Sequence, residues 1–213
     1  MRRLLLLIGA AVVVAALAAE LLIPSVAEGH IEEIVSERVP GFGEVDADLS
    51  GRPIVARALL FGEVRKLTVT LSDLAGQARL FPTLRFEFRG IALDRGGLLR
   101  GNADVEAVDE ARVEASLAED DLQDLVPGVV IDLRPDGVVA TVAGRTIEAE
   151  IEVRDRTLVI GVEALPEATV PLPTSDLFPC NPAISVTDQA VVIACAFNEV
   201  PSWLAAHLDE VGQ

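Results

Sequence analysis

The sequence predicts an α+β fold, in which a curved antiparallel sheet packs on a long N-terminal helix and short helices interrupt the strands. Three observations predict it. Apolar residues between Ser25 and Val39 recur at helical spacing, several later segments alternate apolar and polar residues with a period of two, and Pro-Gly, Asp-Gly and Ala-Gly steps punctuate them. Alternation with one wet and one greasy face is the mark of antiparallel strands, and the greasy face needs cover.

The chain opens with MRRLLLLIGAAVVVAALAAELLIP. Arg2 and Arg3 precede an uninterrupted apolar run from Leu4 to Ala19, followed by Glu20, then Leu21 to Ile23 and Pro24. The run suits a long signal-peptide core, and Ala16-Leu17-Ala18 offers a small-x-small cleavage site. Counted to Ile23 it reaches the roughly 20 residues that span a bilayer, with Glu20 at the outer interface. Residues 1–23 thus read as a signal peptide or an N-terminal membrane anchor. The paired arginines hold the N-terminus inside, so residues 24–213 read as one exported domain.

From Ser25 to Val39, the residues Val26, Ala27, His30, Ile31, Ile34, Val35 and Arg38 share a helical stripe, with Glu28, Glu32, Glu33 and Glu37 on the other faces. Pro24 fits the first turn of this helix and Pro40-Gly41 closes it. The segment VRKLTVTLSDL alternates Leu67, Val69 and Leu71 against Lys66, Thr68 and Thr70. TLRFEFRGIALD does the same with Leu84, Phe86 and Phe88 against Thr83, Arg85, Glu87 and Arg89. In ASLAEDDLQDLVPG, Ser116 stands three residues before Glu119 as in a capping box, and Leu122, Leu125 and Val126 line one side until Pro127-Gly128. TIEAEIEVRDRTLVIGVEAL reads as two strands joined near Arg154-Asp155-Arg156, with Ile147, Ala149, Ile151 and Val153 opposite Glu148, Glu150 and Glu152. Pro135-Asp136-Gly137 and Ala143-Gly144 mark further turns. Pro201 starts a last short helix, with Trp203, Leu204 and Leu208 as its stripe.

The two cysteines, Cys180 and Cys195, both lie in PCNPAISVTDQAVVIAC. If Thr187 and Asp188 form a two-residue turn, Val186 faces Gln189, Ile184 faces Val191, and Cys180 falls opposite Cys195. Paired strand residues lie about 4.5 to 5.5 Å apart at Cα, within the reach of a disulfide. The competing reading is two buried free thiols. A disulfide requires an oxidising compartment, which an exported chain reaches.

The 213 residues carry 34 acidic and 17 basic side chains, a net charge of −17, and the leader holds two of the arginines. Such a charge repels nucleic acid and gains nothing from anionic headgroups, which excludes a nucleic-acid partner and leaves lipid contact to apolar surface. The mean hydropathy of +0.43 is raised by the leader. Catalytic signatures are sparse. There are two histidines, His30 and His207, and no tyrosine, no nucleophile elbow, no phosphate loop and no dinucleotide fingerprint. DADLSG places Asp46, Asp48, Ser50 and Gly51 like the start of a calcium loop, but Arg57 stands where the bidentate glutamate belongs. The reading is therefore of a protein that is not an enzyme, with no catalytic residue, metal or cofactor assigned. Phe42, Phe61, Phe81, Phe86 and Phe88 crowd the first half of the exported part. They either fill a core or line a groove for acyl chains between the sheet and the helix.

Four segments in order, SERVPGFGEVDADLSGRP, LLFGEVRKLTVTLSDL, FRGIALD and VEASLAEDDLQDLV, follow an N-terminal apolar segment. Together they resemble the LmeA-like phospholipid-binding proteins of actinobacterial envelopes, over most of the chain from Ile31 to Val153. The resemblance implies a single-pass or secreted envelope protein that binds phospholipid and supports assembly of envelope lipids or glycolipids. It also implies a fold distantly similar to tubular lipid-binding modules, in which a curved sheet wraps a long helix. It supplies no catalytic motif, and the cysteine hairpin is not part of it. The expected function is non-catalytic binding of phospholipid acyl chains in an apolar groove lined by Phe61, Leu67, Val69, Phe86, Phe88 and Ile91. The expected location is extracytoplasmic, anchored in the cell membrane through the N-terminal segment or secreted past it. The alternative is an envelope scaffold with a closed core and an acidic surface for a protein partner.

Overall fold

Helix α1 (Arg2–Arg38) leads into strand β1 (Glu44–Ser50), helix α2 (Ile54–Phe61), strands β2 (Glu63–Ser72) and β3 (Thr83–Leu93), the single turn α3 (Arg95–Leu98) and the long strand β4 (Val105–Ala118). Helix α4 (Glu119–Leu125) precedes β5 (Val129–Arg134), β6 (Gly137–Val142), β7 (Arg145–Arg154), β8 (Thr157–Val162), β9 (Ala168–Pro171), β10 (Ala183–Val186) and β11 (Ala190–Phe197). This computed structural model describes residues 2–38, 43–72, 81–100, 104–126, 128–134, 137–163, 165–172 and 178–198, with side chains from residue 16 onward. The expected last helix with Trp203 and His207 lies outside the described residues, as do Phe42 and the side chains of Leu4 to Ala15.

The architecture is α+β with two antiparallel sheets, neither of them closed. Six strands run in the order β1-β2-β3-β4-β11-β10, and five in the order β5-β6-β7-β8-β9. The period-two segments become the strands expected of them. Leu67, Val69 and Leu71 of β2 pair with Phe88, Phe86 and Leu84 of β3, so every second residue of both strands meets on one face. The other face is charged in matching pairs: Arg85 lies opposite Glu114, Glu87 opposite Arg112 and Arg89 opposite Glu110. On that face Lys66 Nζ lies 2.7 Å from Glu87 Oε2. The hydrogen bond from Lys66 holds the Glu87 carboxyl below its usual range, against the opposing pull of burial.

The hairpin turns follow local chemistry. Ala143-Gly144 joins β6 to β7 and Asp155-Arg156 joins β7 to β8, all four with left-handed backbone (φ 50°, 78°, 46° and 61°), as the twist of two-residue hairpins demands. The greasy faces of both sheets meet in one buried cluster. Phe81, Leu84, Phe86, Phe88 and Ile193 enter it from the larger sheet and its approach, Ile131, Leu133, Leu158 and Ile160 from the smaller, and Leu122 from α4. Burial of this apolar surface is the main favourable term for the fold.

Three local expectations are corrected. Helix α1 runs through Pro24 without a break, where a new helix was expected to start. A proline inside a helix loses one backbone bond at a cost of about 3 kcal/mol. Pro24 is buried, and the contacts described below fasten α1 to the domain on both sides of it. Ser116 does not cap α4, because β4 extends to Ala118 and holds Ser116 in register with Thr83 and Val192. Asp121 Oδ2 instead accepts the Ala118 N–H at 2.8 Å, two residues downstream of the expected frame. Asp46 and Asp48, set aside as calcium ligands on sequence because of Arg57, lie in extended strand β1, opposite Thr70 and Thr68. In the last hairpin, Val186 pairs with Val191 and Ile184 with Ile193, a slip of two from the expected register. The Thr187 N–H donates to the Ala190 carbonyl at 3.0 Å and its hydroxyl oxygen accepts the Ala190 N–H at 3.0 Å, closing a longer loop than Thr-Asp alone.

A slip of two keeps every side chain on its face. Val191, Ile193 and Cys195 therefore stay buried, and Cys180, in the segment before β10, still bonds Cys195 with a Cα separation of 5.9 Å.

Candidate functional site

Strand β1 is an edge of the larger sheet, and alternate amides along it face outward with no strand to receive them. Helix α1 lies there, antiparallel to β1, and supplies carboxylates instead. Glu32 Oε1 accepts the Ala47 N–H at 3.1 Å and Glu28 Oε1 accepts the Leu49 N–H at 2.8 Å. The spacing matches: four helical residues rise about 6.0 Å and two strand residues about 6.8 Å. Further toward the N-terminus, the two oxygens of Glu20 accept the Ile54 and Ala56 N–H groups at 2.8 and 2.7 Å. These amides open α2, whose preceding residue, Pro53, makes no side-chain cap. Glu20 is thus a cap supplied from another helix, and an acidic group suits that end of the dipole. Among the described side chains of α1, Val35 joins the buried core, with Ile31 packed beside it.

The same geometry collects apolar surface at one end of the sheet. The end of β1, the start of β2, the end of β3 and the start of β4 lie together, with α2 packed against β2 and α3. Among the described residues, nine of the ten exposed large apolar side chains belong to α1, α2 and the residue after α3, and Val130 is the exception. On α1 they are Leu17, Leu21, Leu22, Ile23 and Val26. On α2 they are Leu59, Leu60 and Phe61, and Leu99 follows α3. One shallow hollow on α1 is lined by Leu22, Ile23, Val26, Ala27 and His30, and a second, between α1 and the approach to α2, by Leu17, Glu20, Leu21, Arg52 and Pro53. Of the described residues, no helix is long and apolar enough to cross a membrane.

The six residues expected to line a groove divide sharply. Leu67, Val69, Phe86, Phe88 and Ile91 are none of them more than 7% exposed and belong to the buried cluster, with the rings of Phe86 and Phe88 stacked at 6.4 Å. Phe61 is 68% exposed, with the Arg57 guanidinium 5.9 Å above its ring. The structure thus brings the five together as interior and sets Phe61 apart, beside Leu59 and Leu60. Sequence reasoning missed the exposed face of α1 from Leu17 to Val26, because it counted those residues as leader or helix stripe. The i,i+4 pair Glu28 and Glu32 was the one legible trace of a helix lying on a strand edge. His30 is exposed, 3.8 Å from the Glu33 carboxylate, as a helix-surface residue. No cluster of three metal-ligating side chains occurs among the described residues.

The chain matches no family model, no curated protein and no solved structure.

Proposed function

We propose that this chain is a non-catalytic envelope protein that holds phospholipid acyl chains on its apolar end and so supports assembly of envelope lipids or glycolipids. One observation carries the reading: among the described residues, nearly all exposed large apolar side chains gather at one end of one sheet. Surfaces that face only water scatter such residues singly, whereas contiguous ones mark contact with lipid or protein.

On this reading an acyl chain lies along α1, over the hollows between Leu17 and Val26, with Phe61 close by. It does not enter beneath β2 and β3, where Leu67, Val69, Phe86, Phe88 and Ile91 are covered by the protein's own side chains. Each CH₂ removed from water contributes about 0.8 kcal/mol, so part of one chain offsets the cost of ordering it. Helix α1 along the sheet edge then stands in for the helix that a curved sheet wraps in tubular lipid-binding modules. The order of segments resembling the LmeA-like family supports the same assignment. The Cys180–Cys195 disulfide is compatible with an oxidising, extracytoplasmic location, reached through residues 1–23 as signal or anchor.

The test is the lipid content of the full-length chain, purified in detergent, extracted with organic solvent and analysed by mass spectrometry. Near-stoichiometric phospholipid is expected, and Leu22→Glu with Val26→Glu should remove it. A chain that carries no phospholipid and takes none from vesicles overturns the reading. The filled interior favours a second reading, an envelope scaffold whose acidic surface binds a protein partner. That reading requires the lipid-free outcome together with a defined partner in crosslinking.

A further inference from the structure

We infer that the docking of Glu20 on α2 keeps the peptide bond after Ala18 uncut in the exported protein, so that residues 1–18 stay on the domain as a permanent tether. This assignment rests on the exported location proposed above and not on lipid binding. The sequence offers Ala16-Leu17-Ala18 as a small-x-small cleavage site and leaves its use open. In the fold that triplet lies within α1, which is continuous from Arg2 to Arg38. A peptidase takes its substrate as an extended chain, so a cut here requires several residues of helix to open first.

The opening is opposed two residues beyond the scissile bond. One carboxylate oxygen of Glu20 accepts the Ile54 N–H at 2.8 Å and the other accepts the Ala56 N–H at 2.7 Å. Leu17, on the other side of the bond, lines the hollow it shares with Leu21, Arg52 and Pro53. The end of the leader is therefore part of the domain surface. The product of a cut would also fit the fold badly. It would place an α-ammonium on Ala19, where the start of a helix favours negative charge, and directly beside Glu20. That ammonium would compete with the Ile54 and Ala56 amides for the Glu20 oxygens, and Pro53 makes no side-chain cap to replace them. The position of the triplet points the same way. A cleavage site follows the apolar core of a signal peptide, whereas this one lies inside the run from Leu4 to Ala19.

The experiment expresses the full-length chain in a bacterium that exports and processes its own envelope proteins. Intact mass is read on the fraction whose Cys180 and Cys195 resist alkylation without reductant, since that fraction has reached an oxidising compartment. Its mass should be that of the whole chain. A disulfide-bonded fraction that begins at Ala19 overturns the inference, and a chain found only with free thiols overturns it together with the exported location. The purified chain in detergent micelles, treated with bacterial signal peptidase, tests the part given to Glu20. Glu20→Ala should raise the rate of cutting after Ala18 roughly fivefold, because cleavage follows the population of opened helix. Glu33→Ala, at an exposed position of the same helix, should leave the rate unchanged. Equal rates in wild type and Glu20→Ala, including none in either, overturn the inference. Lipid content of the exported fraction separates the two proposals. Bound phospholipid on a chain that begins at Ala19 sinks the tether alone, and an uncut, lipid-free chain sinks the carriage alone.

Discussion

The interior under β3 and the apolar end at α2 use the same residue types to opposite effect. Phe86 is 0% exposed and stacked on Phe88, whereas Phe61 is 68% exposed and touched by one guanidinium. Within each region the neighbours agree, since Leu84 and Leu71 are buried with Phe86 while Leu60 and Leu99 are exposed with Phe61. The difference teaches that this molecule separates two uses of hydrophobicity in space. Stability should follow the first region and lipid contact the second.

The largest expected effect tests the first half of that separation. Phe86→Ala removes a fully buried ring from the cluster and should cost about 3 to 5 kcal/mol in urea unfolding, with phospholipid per folded molecule unchanged. A loss below about 1 kcal/mol would mean that the interior is loosely filled. Next comes the contrast between the two edges of the larger sheet, one fastened by carboxylates and the other by a disulfide. Replacing Cys180 and Cys195 together by Ser should cost about 3 kcal/mol, and reductant should destabilise the wild type alike but leave the double variant unmoved. At the apolar end, Glu20→Ala leaves the first amides of α2 without their acceptor and should cost about 1 kcal/mol. Hydrogen exchange should rise at Ile54 and Ala56 and stay slow in β3 and β4.

On the wet face, Lys66→Met tests the pairing with Glu87. The folded-state carboxyl is depressed, so its contribution is complete above the usual carboxylate range near 4.5 and is lost as pH falls through the depressed value. The variant should therefore be less stable than wild type at neutral pH by under about 1 kcal/mol, and the two should converge under acid. A gap that widens in acid would refute the assignment. The smallest effect on stability closes the comparison: Phe61→Ser should change unfolding by within about 0.5 kcal/mol, yet reduce lipid contact. Should Phe61→Ser unfold the domain as Phe86→Ala does, the two regions are one.

Much of the strand architecture was legible. Period-two alternation identified β2, β3, β7 and β8, and the turns at Ala143-Gly144 and Arg154-Asp155-Arg156 fell where they were expected, because these signals are local. The disulfide was legible for a subtler reason. The expected register was off by two, but a slip of two preserves the faces, and Cys180 bonds from a segment outside the paired strand. What failed was whatever depended on distant partners. Pro24 looks like a helix start until Glu20, Glu28 and Glu32 are seen fastened to α2 and β1, and Ser116 looks like a cap until β11 and β3 claim it. The candidate surface was the least legible part, since Phe61 and Phe86 carry no local mark that tells one fate from the other.

By itself the sequence determined the α+β class, the alternating faces of the strands and the acidity of the whole, and it left its two cysteines as either a disulfide or two free thiols. Those properties follow from side-chain periodicity and composition, which are carried residue by residue along the chain. Only the tertiary structure decided which apolar residues meet water and which charged side chains pair across the fold. Exposure and local charge are sums over neighbours far apart in sequence, and they have no value until the chain brings those neighbours together.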